Sequence, residues 1–135
     1  MDDRLERNKA LVREVFDRVI NGHDPSLAEQ YYPEDYVQHE AGIPPGRNGL
    51  VAILKALFKA VPDVRMDIKF MIAEGDRVMA FVEHSGTQVL ELDGSAPVDK
   101  PFRGRSAEIF RVSGGLLVEH WGLAEDPHAA ERSWS

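Results

Sequence analysis

The feature that most constrains this chain is a change in the spacing of its apolar residues just after residue 60. Within 4–21 and 47–60, apolar side chains recur every three or four residues, which predicts two helices with one apolar stripe each. From Val64 onward, apolar and polar residues alternate, and this period of two predicts strands. Helices that precede an antiparallel sheet in this way indicate an α+β domain.

Turn sequences divide the second half into four strands. The segment Glu74-Gly75-Asp76-Arg77 predicts a hairpin, and Gly114-Gly115 predicts a second tight turn. Because helices with one apolar stripe must cover one face of the sheet, we predict a cone-shaped barrel: a curved antiparallel sheet wrapped around the N-terminal helices, with a pocket at its mouth. We expect one domain over 1–125 and a polar tail over 126–135.

Composition and motifs exclude several classes of function. The chain has no cysteine, which removes disulfides, thiolate metal sites and a cysteine nucleophile. With 16 basic and 23 acidic residues, it lacks the basic surface that nucleic-acid binding requires. The charged N-terminus and the lack of a long apolar run predict neither a secretory signal nor a membrane span, so we expect a cytoplasmic protein. No HExxH, GxGxxG or GxSxG motif is present, and we predict no metal and no cofactor.

Several segments together are similar to one known family. They lie in order along about residues 5–125 and are Asn8–Phe16, Tyr36–His39, Pro44–Arg47, Ile72–Val78, Ile109–Val112 and Val118–Trp121. The family they resemble is the SnoaL-like polyketide cyclases, which belong to the nuclear-transport-factor-2-like superfamily of cone-shaped α+β barrels. The resemblance implies a small-molecule enzyme of the cyclase, isomerase or dehydratase type that works without a cofactor, and a homodimer formed through the outer sheet face.

One position departs from the family. The founding cyclases use an aspartate on the last strand as acid and base, and in many relatives it directly follows a His-Trp pair. Here Gly122 follows His120-Trp121, which puts cyclase chemistry by the family's route in doubt.

The remaining polar residues of the last two strands are the candidates for chemistry. The resemblance places Gly122 toward the cavity, and the alternation puts His120 on the same face. Glu108 occupies a position that is polar or acidic in the family. Flanked by apolar residues, it would be a partly desolvated general base; alternatively, it is a salt-bridged edge residue. His120 is a candidate acid or base, or else a structural histidine.

His39 and a set of apolar residues complete the predicted site. His39 precedes a Gly/Pro-containing loop and could donate to an enolate oxygen, or it could simply hold that loop. His84, in the middle of a strand, is expected in the core or at an interface rather than in catalysis. The residues predicted to bind a small apolar molecule, several of which could instead only pack in the core, are Phe16, Tyr32, Leu54, Phe58, Phe81, Ser106 and Gly122.

Three functions stay open at this point. The first is an enzyme that abstracts a proton next to a carbonyl group, with Glu108 or His120 as the base. The second is a non-catalytic ligand-binding protein of the same fold, because the catalytic aspartate is replaced by Gly122. The third is an assembly domain that dimerises through outward-facing residues, predicted as Leu117, Trp121 and Leu123.

Overall fold

The predicted helices form at the predicted places. The computed structural model describes residues 3–92, 96–97 and 101–125. Helix α1 spans Asp3–Val15 and continues into a π-helical turn over Phe16–Ile20. After a 3₁₀ turn that Asp24 caps through its side chain, the short helix α2 spans Ala28–Tyr31 and the long helix α3 spans Gly46–Ala60.

Five strands form one sheet in the order β1-β5-β4-β3-β2. The four long strands are the predicted antiparallel meander. Their ranges, with that of the short first strand, are Val37–Gln38 (β1), Arg65–Glu74 (β2), Arg77–Thr87 (β3), Pro101–Ser113 (β4) and Leu116–Ala124 (β5).

The sheet differs from the prediction in the direction of one strand. It is mixed rather than wholly antiparallel, because β1 pairs in parallel with β5 through Val37–Glu119 and Gln38–His120. A strand of two residues has too little alternation to show its partner or its direction in the sequence. In the described part of the chain β1 and β2 remain the two edges, so the sheet curves but does not close.

The helices pack on one face of this sheet, as predicted for an α+β domain. Val12 and Val15 of α1 and Val78 and Val82 of β3 are almost fully buried in one apolar cluster. Phe16 of the π-helical turn meets Phe110 of β4 edge to face, with ring centroids 6.1 Å apart. The core therefore lies between the helices and the concave face of the sheet.

Two β-bulges reverse the predicted facing of side chains. In β2 the pairing shifts between Ile68 and Phe70, and Phe70 and Ile72 become 49% and 57% exposed although they continue the alternation of buried residues. In β5 the pairing with β4 shifts between Glu119 and Leu117, and Leu117 becomes 0% exposed. The expectation that Leu117 faces outward is therefore wrong, because the extra residue in a bulge exchanges the two faces of the strand.

None of the helices in the described ranges combines the length and the apolar character needed to cross a bilayer. The predicted tail over 126–135 lies outside the described residues.

Candidate functional site

A mostly apolar cavity of about 220 Å³ lies between the helices and the concave face of the sheet. Val15, Ile20 and Leu50 contribute to its apolar wall. Four of the predicted binding residues also line it: Phe16, Tyr32, Leu54 and Ser106. Its polar groups come from the sheet side and form the candidate site; they are Tyr36, Gln38, Glu40, His84, Ser106, Glu108 and His120.

Glu108 and His120 form a hydrogen-bonded pair inside this cavity. They lie on neighbouring strands, where Glu108 is in register with Gly122 and His120 with Phe110. The Nε2 atom of His120 is 2.9 Å from Oε1 of Glu108, and the two side chains are 7% and 16% exposed. Phe110 stacks against the imidazole at 4.9 Å between ring centroids. The structure thus brings together the two residues that the sequence analysis selected as acid and base.

The hydrogen bonds of Gln38 determine which nitrogen of His120 carries a proton. The Oε1 atom of Gln38 accepts from the backbone N–H of Glu40 at 3.0 Å, and its Nε2 donates to the hydroxyl of Tyr36 at 3.2 Å. The same Oε1 lies 2.7 Å from Nδ1 of His120. Because a backbone N–H can only donate, the amide oxygen must face it, and Nδ1 of His120 must therefore be the donor in its contact.

This assignment leaves one proton for His120 Nε2 and Glu108 Oε1 to share. The pair is either an imidazolium with a carboxylate or a neutral imidazole with a carboxylic acid. The proton can move between these two forms without any rearrangement of side chains. A pair of this kind is suited to general acid–base chemistry.

Glu40 is a third titratable group beside this pair. The residue lies at an exposed position after β1, but it lines the cavity. Burial of its carboxyl and the charge of Glu108 raise its pKa, and His120 partly offsets this. Ligand atoms of Glu40, Glu108 and His120 lie within 4.8 Å of one another, close enough for one divalent cation to bridge. A cation bound there would replace the hydrogen bond between His120 Nε2 and Glu108.

Gly122 lies against this cluster rather than on the cavity wall. A Cβ atom at Gly122 would be 3.1 Å from Oε1 of Glu108, 3.2 Å from Oε2 of Glu40 and 3.3 Å from Cε1 of His120. The carboxyl oxygens of two glutamates thus occupy the space beside the position at which the family's aspartate would stand. The carboxyl groups beside Gly122 thus come from β4 and from the segment after β1.

Replacing Gly122 by aspartate should destabilise the protein, and more so at pH 8 than at pH 5. The new side chain would press against the carboxyl oxygens of Glu108 and Glu40, and overpacking of this kind costs about 1–3 kcal/mol. A third carboxylate adds like-charge repulsion that protonation relieves at low pH. Urea unfolding at both pH values measures the effect.

Two alanine variants separate crowding from charge. G122A should be destabilised about equally at both pH values, because it crowds the site without adding charge. G104A should resemble the wild type, because nothing lies within 4 Å of a Cβ at that position. A G122D protein as stable as the wild type at pH 8 would contradict this description of the cluster.

His39 lies outside the cavity. Its Nε2 atom is 2.6 Å from Oε2 of Glu119, and its ring stacks on Trp121 at 4.9 Å between centroids. The hydrogen bonds from His39 and from Arg111 lower the pKa of Glu119. His39 therefore joins the end of β1 to the outer side of β5, which agrees with the structural alternative and not with a donor aimed into the pocket.

Phe58 and Phe81 also do not line the cavity. Phe58 stacks on His23 with ring centroids 4.4 Å apart, and Phe81 stacks on the exposed Phe70 at 5.1 Å. The bulge in β2 explains the second pair, since it brings Phe70 to the outer face, where Phe81 lies. Both rings pack against other side chains rather than against a ligand space.

Four polar cavity residues were missed as site residues by the sequence analysis: Tyr36, Gln38, Glu40 and His84. Gln38 and Glu40 flank His39, so the segment was recognised but the wrong side chain was chosen. Strand alternation places His84 and Val82 on one face of β3, but that pattern alone does not separate a core histidine from a cavity histidine. In the structure, Nε2 of His84 is 2.6 Å from Oγ of Ser106.

Comparison with known proteins agrees with this architecture. The family model described as SnoaL-like polyketide cyclase matches residues 10–131. No curated protein matches the sequence significantly. Many solved structures do, among them TsrD from Streptomyces laurentii, with 22% identity, 89% of each chain covered and a TM-score of 0.80.

Two further structures cover almost the whole chain. AclR from Streptomyces galilaeus, a candidate hydroxylase, is 25% identical over 94% of this chain and 96% of its own, with a TM-score of 0.78. A SnoaL-like polyketide cyclase from Agrobacterium tumefaciens is 13% identical over 95% of this chain and 98% of its own, with a TM-score of 0.77. At such low identities, these likenesses show the fold.

Proposed function

The chain belongs to the SnoaL-like polyketide cyclase family, and from this membership together with the site geometry we propose that it is a cofactor-free enzyme of the cyclase, isomerase or dehydratase type. Its substrate is a small, largely apolar carbonyl compound held in the internal cavity. A cavity of about 220 Å³ is smaller than the roughly 300–1,000 Å³ of pockets that hold drug-sized ligands, and it suits a molecule of one or two rings.

The observation that carries the proposal is the Glu108–His120 pair within an apolar wall. In the proposed step, the free carboxylate oxygen of Glu108 takes a proton from the carbon next to the carbonyl group. The electron pair of the broken C–H bond moves to the carbonyl oxygen and forms an enolate. The proton then returns from the pair to another atom of the substrate, so that no external oxidant or reductant is needed.

A non-catalytic binding protein is the alternative, and the position of Gly122 bears on it. The missing aspartate alone would favour loss of activity. Two carboxyl groups, however, lie beside that position, and one of them shares a proton with a histidine. A pocket that only held a ligand would not need an acid–base pair at this point, so the geometry favours the enzyme.

Solvent deuterium exchange tests this proposal without knowledge of the natural substrate. We expect the protein in D₂O to exchange the acidic α-hydrogens of 2-tetralone, a bicyclic ketone, catalytically and well above the buffer rate, as measured by mass spectrometry. Prior dialysis against EDTA should leave the rate unchanged. Binding of 2-tetralone without catalysed exchange would instead support the binding-protein alternative, and loss of exchange on chelation would point to a bound cation in the Glu40–Glu108–His120 cluster.

We further propose that two copies of the chain associate through the outer sheet face. This outer face carries two apolar rows that run across β2, β3, β4 and β5 in register. The first row includes Ile72, 57% exposed, and the second includes Phe70 and Leu123, 49% and 76% exposed. The rows are Ile72–Met79–Ile109–Trp121 and Phe70–Phe81–Ala107–Leu123.

Light scattering should show a particle of twice the 15.1 kDa chain mass for the wild type. A charge placed in the outer face should dissociate it, since an unpaired charge in an apolar contact is costly. L123D should therefore be monomeric, whereas A52D, on the exposed side of α3, should remain a dimer. A monomeric wild-type protein at micromolar concentration would remove the proposal.

A further inference from the structure

A second hydrogen-bonded pair lies in the cavity, and proton transfer by Glu108 and His120 does not use it. His84 of β3 and Ser106 of β4 both line the cavity, with Nε2 of His84 2.6 Å from Oγ of Ser106. Ser106 is only 3% exposed. A buried serine hydroxyl in a mostly apolar cavity needs a reason, because polar groups are costly to bury without full use of their hydrogen bonds.

A neutral His84 with its proton on Nε2 leaves the serine hydroxyl able to donate. Burial lowers the pKa of His84, although Glu108 opposes this, so the imidazole is neutral at pH 7 and carries one N–H. Within the described part of the chain, His84 is the hydrogen-bond partner of Ser106 Oγ, and no second one is found. When Nε2 carries the proton, it donates to Oγ, and the hydroxyl hydrogen is then available to an acceptor in the cavity.

The position of Ser106 matches the geometry of the proposed reaction. Ser106 and Glu108 are two residues apart on one face of β4, which separates them by about 7 Å along the strand. A ketone whose oxygen lies within hydrogen-bond distance of Ser106, and which extends along the strand, would bring its α-carbon close to Glu108. The hydroxyl of Tyr36 is less suited to this role, because the charges of both Glu40 and Glu108 act on it and would repel an enolate oxygen, whereas of these two only Glu108 acts on His84.

We propose that the His84–Ser106 pair binds the carbonyl oxygen of the substrate, with Ser106 as the donor to that oxygen and His84 as the positioning residue that orients the serine. This inference rests on the proposed function. It narrows the substrate class to ketones that carry an α-hydrogen and that can reach from the Ser106 hydroxyl to the Glu108 carboxylate, about 7 Å along the strand. Donation from His84 to Ser106 polarises the hydroxyl, which strengthens its hydrogen bond as negative charge develops on the oxygen.

Infrared spectroscopy of bound 2-tetralone labelled with ¹³C at the carbonyl tests the hydrogen bond directly. In the wild type, the carbonyl stretch should move to lower frequency than in an apolar solvent. In S106A, the shift should be lost, and the deuterium exchange rate should fall by about 10²–10³-fold, as on removal of one oxyanion donor. S113A, on the exposed end of the same strand, should behave as the wild type.

A pair of His84 variants tests the positioning role. The amide nitrogen of H84Q can replace Nε2–H as donor and should retain most of the carbonyl shift, whereas H84F has a ring without a donor and should lose it. In the wild type, ¹⁵N NMR should show the Nε2–H form of a neutral His84 with ligand bound. An unshifted carbonyl, failure of 2-tetralone to bind, or equal spectra for H84Q and H84F would overturn the inference.

The two proposals fail in different ways. If E108Q loses exchange while S106A retains both the exchange rate and the carbonyl shift, Glu108 is the base and the His84–Ser106 inference is wrong. If the wild type shows the shift and S106A loses it, but no protein exchanges deuterium, the pair binds carbonyl groups and the proposed catalysis is wrong. Covalent labelling of Ser106 by a fluorophosphonate would show a nucleophilic serine and overturn the donor role.

Discussion

Replacement of Glu108 by glutamine is expected to lower the rate of α-hydrogen exchange by about 10²–10⁴-fold, which is the usual contribution of a general base. Glutamine has nearly the same shape as glutamate and can still hydrogen-bond to His120 Nε2 across the 2.9 Å contact. It cannot accept a proton from carbon. The affinity for 2-tetralone should therefore remain close to that of the wild type while turnover is lost.

Exchange kinetics and ligand titration on the same samples measure the two effects separately. E74Q is a suitable control, because Glu74 is exposed at the end of β2 and lies outside the cavity. Unchanged exchange in E108Q would show that Glu108 is not the base. Equal loss of affinity and turnover would indicate that Glu108 binds the substrate instead of reacting with it.

Replacement of Leu117 by alanine is expected to lower the free energy of unfolding by about 2–5 kcal/mol, as for other buried leucines. Leu117 is 0% exposed and belongs to the main apolar cluster, because the bulge in β5 turns it inward. For a marginally stable domain this is a large part of the total stability. Urea denaturation followed by circular dichroism measures the loss.

The neighbouring Leu116 is the matched control. It is only partly buried, so L116A should cost clearly less than L117A. If side chains alternated without interruption from His120 back to Leu116, Leu116 would face inward and Leu117 outward. L116A would then lower the free energy of unfolding more than L117A. The comparison therefore tests the bulge itself, and a larger loss for L116A would contradict the described register.

The sequence predicted the secondary structure and the α+β class because both depend on local periodicity. The stripes of α1 and α3 and the four-strand meander follow from spacings of 3.6 and 2 residues, which neighbouring residues establish by themselves. The placement of Glu108, His120 and Ser106 on the concave face follows from the same alternation. The pairing of β4 with β5 runs without a bulge from Glu108–Gly122 to Phe110–His120, so the alternation is not interrupted there.

Tertiary structure alone decided the features that depend on pairing between distant segments. A bulge inserts one residue relative to the partner strand, so the outward position of Phe70 and the inward position of Leu117 depend on register and not on local pattern. The two-residue strand β1 acquires its parallel direction only against β5. That pairing turns His39 outward and brings Gln38 to His120.

The change in apolar spacing after residue 60 thus determined the class of fold and the concave face on which a site could form. The proton-sharing contact of Glu108 with His120, the second pair of His84 with Ser106, and the two carboxyl groups beside Gly122 were decided by the folded chain. The physical reason is the separation along the chain of the residues on which each feature depends. Periodicity is a property of adjacent residues, whereas a hydrogen bond between strands requires the register that the whole sheet and its packing against the helices impose.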